Sequence, residues 1–402
     1  MRNVVLLTLD ATRKDVFGLY GSTRGLTPTF DEFGAESLVF TNAQTTGPYT
    51  QASFPGILTS SYYLDFGRPK GLSPHRTLVS EPLQRAGVAT AAFHSNPYLC
   101  EFLGWNRGWD RFYDSMDEDV DPKVPYVHGD HINRMALDWL AAHRRAQPRK
   151  PFFLWLHYMD VHEPYMPERR FLEAVAPSLA MSRDEMYALF QKTLLPRDAS
   201  DPDRVSILRR LYDAHVREID AHFAQLLSGL EDLDCLAATT VFVTSDHGDE
   251  FGEHGGLSHD DKLYCELVDA PLLIHGAEEA GTFHPVVSSI DIAPTIVALF
   301  GLPAVSGFQG RSLLPSRRYT QQGVFGEAMA QHTKPDDGVK HDVFFYREER
   351  LKIIHRREPE SWELYDLATD PRERKNLMDS SLHADRMASK LLPRVQRWMA
   401  SP

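Results

Sequence analysis

The stretch Val4-Val5-Leu6-Leu7-Thr8-Leu9-Asp10 decides the fold, because it predicts a buried β-strand that ends on a carboxylate. A second apolar run, Val241-Phe242-Val243, is followed closely by Asp246-His247-Gly248. In an α/β sheet, ligands and chemistry collect at the carboxyl ends of the strands. Two such strands, more than two hundred residues apart in the chain, can therefore bring oxygen and nitrogen donors to one place. Donors of these two kinds predict a site for a divalent metal.

Short apolar segments alternate with amphipathic ones along most of the chain. The strand candidates are 3–9, 88–94, 151–158, 239–245 and 271–275, and the helix candidates are 28–36, 130–145 and 205–230. Nearly continuous apolar strands are typical of a sheet that is covered on both faces. The alternation predicts a three-layer α/β/α sandwich with a large, mostly parallel or mixed central sheet. On the last helix candidate, His215 and His222 share a face with apolar side chains and are expected to pack rather than to bind a ligand.

The character of the sequence changes near residue 316. Before this point, residues 176–204 are polar and rich in Pro and Asp, which predicts a surface insertion. After it, the pattern predicts short strands and a terminal helix at 341–355, 361–367 and 379–400. We therefore expect a catalytic domain over 1–316 and a small C-terminal α+β unit, an antiparallel sheet with a helix, over 317–402.

The composition excludes several classes of protein. The 402 residues carry a formal net charge of −13 and contain no long Lys/Arg block, which argues against a nucleic-acid partner. No apolar run approaches the ~20 residues that a membrane span requires. Because Met1-Arg2-Asn3 leads directly into the first strand without a secretory signal, the expected location is cytoplasmic. The three cysteines, Cys100, Cys235 and Cys265, are too few for a disulfide framework and are expected to pack in the core. The oligomeric state stays open.

A hydroxyl at the start of a helix is a candidate nucleophile. The segment from Gly47 to Pro55 leads into a helical pattern and contains both Thr50 and Ser53. At a helix start, unpaired N–H groups and the helix dipole favour an anion and lower the cost of ionising such a hydroxyl. Either residue can also act simply as an N-cap, so the choice between them stays open at this point.

Further acids and imidazoles follow the predicted strands. Residues 244–259 combine Asp246, His247 and His259 with several glycines, which indicates a loop folded closely around a ligand. Asp160 and His162 come just after the strand candidate 151–158. Three or four such strand ends in one sheet favour a shared site over separate turns.

Several motifs together resemble the sulfatase branch of the alkaline phosphatase superfamily. Residues 3–21 (NVVLLTLDATRKDVFGLYG) are similar to the family's first strand and metal-binding turn, and residues 243–255 to its second metal loop. Further similar stretches are 27–41 (TPTFDEFGAESLVFT), 291–314 (DIAPTIVALFGLPAVSGFQGRSLL) and 362–377 (WELYDLATDPRERKNL). The resemblance runs nearly end to end, and it implies an alkaline-phosphatase-like fold and a metal-dependent ester hydrolase acting on a small anionic ester.

The resemblance also implies roles for individual residues. It implies a metal held by Asp10, Thr50, Asp246 and His247, with Thr50 as the nucleophile. Three further residues match positions that bind the anionic group or a second metal: Asp160, His162 and His259. Asn96, just past another strand, and Lys262 are expected to contact the substrate, and His162 is also the candidate general acid. The donor set favours zinc or manganese over calcium or magnesium.

Two departures from the family pattern bear on the reaction. Sulfatases carry Cys or Ser at the nucleophile position, converted to formylglycine, with Arg four residues later; here these positions hold Thr50 and Phe54. Threonine cannot give that aldehyde, so no formylglycine is expected. The family's paired acids at the first strand end are Asp10-Ala11 here, one carboxylate fewer.

The favoured hypothesis is attack of a metal-activated Thr50 oxygen on a phosphate or phosphonate ester, through a covalent intermediate. The rival interpretations are sulfate-ester hydrolysis without formylglycine, transfer of a phosphoryl head group, and a non-catalytic anion-binding relative.

Overall fold

The computed structural model describes residues 3–67, 71–195, 197–259, 262–320, 322–329 and 342–400. Its centre is an eight-stranded sheet. From one edge to the other, the strands are Gly281–Phe283, Leu38–Phe40, Leu272–His275, Thr239–Ser245, Asn3–Leu9, Phe152–Tyr158, Ala89–Phe93 and Arg111–Tyr113. Leu272–His275 runs antiparallel to both neighbours, and the other pairs are parallel. The predicted mixed, mostly parallel sheet is confirmed.

The register of the central strands explains where the site forms. Leu9, at the end of the first strand, pairs with Tyr158 on one side and with Ser245 on the other. Because these three strands run in the same direction, the residues that follow them emerge together at one edge of the sheet. The acids that emerge there are Asp10, Asp160 and Asp246.

Helices cover the sheet on both faces. Successive side chains of a strand point to opposite faces, so Val5, Leu7 and Leu9 join one apolar cluster with the helices Gly129–Ala146 and Pro202–Asp232. Val4 and Leu6 join the opposite cluster, with the helices Thr50–Thr59 and Ile292–Leu299. This arrangement confirms the three-layer sandwich.

Residues 176–204, expected as a polar surface insertion, contain regular helix. The helix Arg183–Leu189 begins with a capping box, in which the Ser182 hydroxyl accepts the N–H of Glu185 and the Glu185 carboxylate accepts the N–H of Ser182. The chain continues as the π-helix Phe190–Leu194. Met186 and Leu194 are buried in the first cluster, while most of the other described residues of the segment are exposed or partly exposed, so it is a surface segment anchored to the core by a few side chains.

The C-terminal part forms the predicted small antiparallel sheet with a terminal helix. Its strands are Val324–Ala328, Val343–Glu348, Leu351–Arg357 and Glu360–Asp366, in that order. The segment predicted at 341–355 is in fact two strands joined by a tight turn, and residue 341 lies outside the described residues. The helix Ala384–Ala400 covers this sheet, with Met387, Leu391 and Trp398 packed against Phe344 and Ile353 in one apolar cluster. The division of the chain at 316 stays a prediction.

Shorter elements connect these layers. The remaining α-helices are Pro28–Ala35, Ser80–Arg85, Arg169–Val175 and Cys265–Val268, and the 3-10 turns are Lys14–Val16, Gly18–Tyr20, Pro97–Leu99, Glu101–Leu103, Leu236–Ala238, Ser289–Asp291 and Ser316–Arg318. The two-residue strands are Ala43–Gln44, Glu250–Phe251, Leu257–Ser258, Asp269–Ala270 and Val287–Ser288. In the part of the chain that the structure describes, no helix combines the length and the apolarity needed to cross a bilayer.

Candidate metal and nucleophile site

Thr50 is the first residue of the helix Thr50–Thr59, and its side chain is buried at the carboxyl edge of the sheet. Its Oγ1 lies 3.5 Å from Oδ2 of Asp246, to which it donates, and 3.2 Å from Nδ2 of Asn96, from which it accepts. Ser53, the other candidate, donates instead to the carbonyl oxygen of Thr50 at 3.3 Å. Of the two hydroxyls, Thr50 is therefore the one that contacts the acidic residues.

The two strand-end acids, Asp10 and Asp246, are fully buried. Oδ2 of Asp10 accepts from Nδ2 of Asn96 at 2.9 Å and lies 3.1 Å from Nε2 of His157. Oδ1 of Asp246 accepts the backbone N–H groups of Ala11 at 3.2 Å and of His247 at 2.9 Å. Within the described residues, Oδ1 of Asp10 has no hydrogen-bond partner. One oxygen of each carboxylate is thus held in place, while Oδ1 of Asp10 and Oδ2 of Asp246, the acceptor of the Thr50 hydroxyl, face the same space.

The ring of His247 presents a lone pair to these acids. Its Nδ1 lies 3.0 Å from the carbonyl oxygen of Gly248, which only a protonated Nδ1 can approach favourably. Nε2 is then unprotonated, and it lies 3.8 Å from Oδ1 of Asp10 and 3.5 Å from Oδ2 of Asp246. Burial, and then the neighbouring ring of His259, lower the pKa of His247 to about 3, so the neutral ring is the stable form.

A buried lone pair that faces two carboxylate oxygens is repulsive unless a cation lies between them. Burial and the charge of Asp10 raise the pKa of Asp246, as expected for two carboxylates that share one cavity. Burial alone would also raise the pKa of Asp10, but the imidazoles of His162, His157 and His247 hold it below its usual range. The atoms Asp10 Oδ1, Asp246 Oδ2, His247 Nε2 and Thr50 Oγ1 therefore fit a divalent cation.

His259 and His162 lie on the open side of this cluster. Nδ1 of His259 lies 2.8 Å from Oδ1 of Asp249, and the ring centroid lies 4.4 Å from that of His247 and 5.3 Å from that of His162. Nδ1 of His162 lies 2.7 Å from the carbonyl oxygen of Glu163, which fixes a proton there and leaves Nε2 for other partners. The two rings are thus oriented by an acid and a carbonyl, as catalytic imidazoles commonly are.

Asp160 and Lys262 occupy different surroundings from those expected. Both oxygens of Asp160 accept the N–H of Gly129, at 3.1 and 3.0 Å, and Oδ1 faces His128 at 3.2 Å. The helix that begins at Gly129 thus turns Asp160 away, and the structure does not group it with His162 and His259. Nζ of Lys262 lies 2.8 Å from Oε2 of Glu250, so this ion pair compensates the charge of Lys262.

Two residues of the site, His157 and Asp249, were not assigned from the sequence. His157 contacts Asp10, and its ligand atoms lie with those of Asp10 and Asp246 within 4.8 Å of one another. Asp249 forms a similar group with His247 and His259, and its Oδ2 also accepts from the hydroxyl of Tyr165 at 2.5 Å. His157 lies within the strand candidate 151–158 and Asp249 within the acid- and imidazole-rich segment 244–259, so both could have been considered.

Phe54 occupies the position that holds Arg in the family pattern. Its ring packs against His157, Trp155 and Trp105, with centroids 5.0, 5.6 and 6.3 Å away. Where the family pattern has a guanidinium, this chain therefore has an apolar, aromatic surface beside the site.

A three-layer α/β domain with a hydroxyl, two carboxylates and imidazoles at the strand ends is the arrangement expected of a metal-dependent hydrolase. A sequence model described as Sulfatase matches residues 2–302, most of the chain, so the chain belongs to the sulfatase family, whose members depend on a divalent cation. A second model, described as N-sulphoglucosamine sulphohydrolase, C-terminal, matches residues 252–400.

Individual relatives agree with this assignment. The N-acetylglucosamine-6-O-sulfatase of Bacteroides thetaiotaomicron is 24% identical over a gapped alignment of 473 positions, which covers 95% of this chain and 83% of that protein. The arylsulfatase of Clostridium perfringens is 24% identical over a gapped alignment of 460 positions, which covers 96% of this chain and 92% of that protein.

Solved structures confirm the alkaline-phosphatase-like fold. A structure bound to its substrate D-glucosamine-2-N,6-O-disulfate has a TM-score of 0.81 at 19% identity, over 99% of this chain and 98% of that one. The phosphonate monoester hydrolase of Agrobacterium radiobacter has a TM-score of 0.76 at 17% identity, over 100% of this chain and 96% of that one. The fold is therefore shared by enzymes that cleave sulfate esters and by enzymes that cleave phosphonate esters.

Proposed function

We propose that this hydrolase cleaves singly charged esters of phosphorus, namely phosphodiesters or phosphonate monoesters, by attack of the Thr50 hydroxyl on phosphorus. The observation that carries the proposal is the position of Oγ1 of Thr50 between Oδ2 of Asp246 and Nδ2 of Asn96. This hydroxyl also lies at the N-terminus of a helix, where the dipole favours a developing negative charge.

Asp10, Asp246 and His247, together with Thr50, would hold the divalent cation. When bound, the cation lowers the pKa of the hydroxyl and neutralises charge on the phosphoryl oxygens. Two carboxylates and one neutral imidazole favour Zn²⁺ or Mn²⁺. Asn96 donates to Thr50 and to Asp10, so it holds the nucleophile beside the acids.

The reaction then proceeds in two displacements. The Thr50 hydroxyl, whose pKa is lowered, first releases its proton to solvent. Its oxygen then forms a bond to phosphorus as the bond to the leaving oxygen breaks, and Nε2 of His162 gives its proton to that leaving oxygen. In the second step, the same nitrogen removes a proton from water, the water oxygen bonds to phosphorus, and the bond to Thr50 breaks, so that Thr50 departs again as the ionised oxygen. His259, oriented by Asp249 at 2.8 Å, would stabilise charge on the transferred group.

The preference for phosphorus rests on Thr50 and Phe54. Oxidation of a secondary alcohol gives a ketone, so Thr50 cannot supply the aldehyde hydrate that sulfatases use. With an aromatic ring at Phe54 and Lys262 paired to Glu250, the site has fewer cationic groups for a doubly charged phosphate monoester. A singly charged ester needs less compensation, which is why we place phosphodiesters and phosphonate monoesters first.

The test is side-by-side turnover of 4-nitrophenyl esters by the metal-loaded enzyme. The substrates are a phosphodiester, a phosphonate monoester, a phosphate monoester and a sulfate. We expect the highest kcat/KM for one of the first two, and peptide mass spectrometry after rapid acid quench should find a phosphoryl or phosphonyl group on Thr50. Turnover of the sulfate alone would refute the preference for phosphorus.

A further inference from the structure

A second group of acidic and imidazole side chains includes Asp160, two residues before His162. The ligand atoms of His128, Asp160 and Glu218 lie within 4.8 Å of one another. Asp160 follows a central strand, His128 precedes the helix Gly129–Ala146, and Glu218 lies on the helix Pro202–Asp232. Three separate elements of the fold thus meet at one point.

The buried carboxylate of Glu218 is the observation that points to a ligand at this group. The Glu218 side chain is fully buried, and Oε1 has no hydrogen-bond partner within the described ranges. Buried carboxylates are normally paired or bound to metal, since they lose hydration on burial. Oε1 of Glu218 lies 3.8 Å from Nδ1 of His128, and that nitrogen lies 3.2 Å from Oδ1 of Asp160. Both carboxylates therefore turn an oxygen toward one imidazole nitrogen.

Two further histidines adjoin the group, and they differ in role. Nε2 of His215 accepts the N–H of Met166 at 2.8 Å, so the proton of its neutral ring lies on Nδ1, 3.0 Å from Oε2 of Glu218. His215 therefore orients Glu218 and has no lone pair for a metal. Nδ1 of His222 lies 3.1 Å from Oδ1 of Asp160, and neither of its nitrogens makes a hydrogen bond to any residue that the structure describes.

We propose that His128, Asp160 and Glu218 bind a second divalent cation, with His222 as a further nitrogen donor. Two carboxylates and one or two imidazoles are the ligands of Zn²⁺ or Mn²⁺. His215 acts as the outer partner that positions a ligating carboxylate. The side chain of His128 is 29% exposed and lines a surface cavity with Met166 and Arg183, which gives the ion a path from solvent.

This site is separate from the one at Thr50, and it replaces the expected second-metal set of Asp160, His162 and His259. A bound ion would link Glu218 on the helix Pro202–Asp232 to Asp160 and to His128. Asp160 lies two residues before His162, and the hydroxyl of Tyr126, near His128, donates to the carbonyl oxygen of His162 at 2.9 Å. The proposal goes beyond the reaction at Thr50 and does not depend on it.

The experiment is a count of bound ions. The full chain is stripped with a chelator, dialysed against Mn²⁺ or Zn²⁺, and analysed for metal per chain. We expect about two ions in the wild type, about one in Glu218→Gln, and about two in Glu231→Gln, a matched change at an exposed position of the same helix. Asp10→Asn should lose the other ion and keep this one.

A wild type that holds one ion, with Glu218→Gln holding the same amount, would overturn the proposal. That result would mean that protonated imidazoles alone neutralise the buried acids. If Glu218→Gln does not fold by circular dichroism, His128→Ala, at a partly exposed position, replaces it. It should also lose one ion, and full retention would overturn the site. The test of Thr50 measures a reaction rate and not metal content, so its outcome can be told apart from either result.

Discussion

Thr50→Val removes one hydroxyl and keeps the volume and branching of the side chain. The folded chain loses a 3.5 Å contact to Asp246 and a 3.2 Å contact from Asn96, whose Nδ2 still donates to Asp10 at 2.9 Å. A lost hydrogen bond of this kind costs about 1 kcal/mol of stability. Loss of the nucleophile should lower kcat/KM by ~10³-fold or more, which is about 4 kcal/mol of transition-state stabilisation. The effect on rate should therefore far exceed the effect on folding.

The assay is kcat/KM on the best 4-nitrophenyl ester, with unfolding in urea followed in parallel. Thr50→Ser retains a hydroxyl and should keep measurable activity. Ser53→Ala is the matched control, because its hydroxyl contacts only the backbone oxygen of Thr50 among the described contacts, and it should change the rate by a few-fold at most. A Thr50→Val enzyme within about tenfold of the wild type would refute the assignment of Thr50 as the nucleophile.

Three further outcomes follow from other contacts. Asp249→Asn removes the charge that orients His259 at 2.8 Å, and loss of such a supporting partner should lower kcat by ~10–100-fold with less change in KM; equal kcat would contradict this role. Removal of metal by a chelator should abolish turnover, and Zn²⁺ or Mn²⁺ should restore it more fully than Ca²⁺, as measured by initial rates. Burial, and then Asp65, raise the pKa of Glu327 from 4.5 to about 8. Between these values the folded chain keeps a proton that the unfolded chain releases, so the free energy of unfolding falls as pH rises from about 5 to about 8. Glu327→Gln should flatten this fall, at about 1.4 kcal/mol per pKa unit, in urea unfolding at several pH values; an unchanged slope would count against Glu327 as its source.

The positions of the strand-end residues could be predicted because they depend only on strand direction and register. Leu9 pairs with both Tyr158 and Ser245, so any acids after these strands must share one edge. Asp10 and Asp246 could therefore be placed together from two apolar runs in the sequence. The same reasoning placed Asn96 near them, just after the strand Ala89–Phe93.

The direction of a side chain after a strand could not be predicted, because distant elements decide it. Asp160 follows its strand as expected, but the N–H of Gly129 binds both of its oxygens. His157 lies inside the strand, and it reaches Asp10 because of the alternation of side chains in a buried parallel sheet. His215 and His222 are both buried, but the helix pattern alone could not show that they face the buried acids Glu218 and Asp160.

The charges of the site argue against a relative that only binds anions. Asp10 and Asp246 are fully buried, and together they would repel an anionic ligand unless a cation neutralises them. The two departures from the family pattern remove one carboxylate, at Ala11, and one guanidinium, at Phe54. The first loss removes a negative group from the ligands of the cation, and the second removes a positive group that would face a doubly charged anion. In the proposed reaction, Thr50 offers a hydroxyl in place of an aldehyde hydrate. That change favours direct attack on an ester that can accept it, and phosphorus esters accept an oxygen nucleophile through the covalent intermediate that the Thr50 variants test.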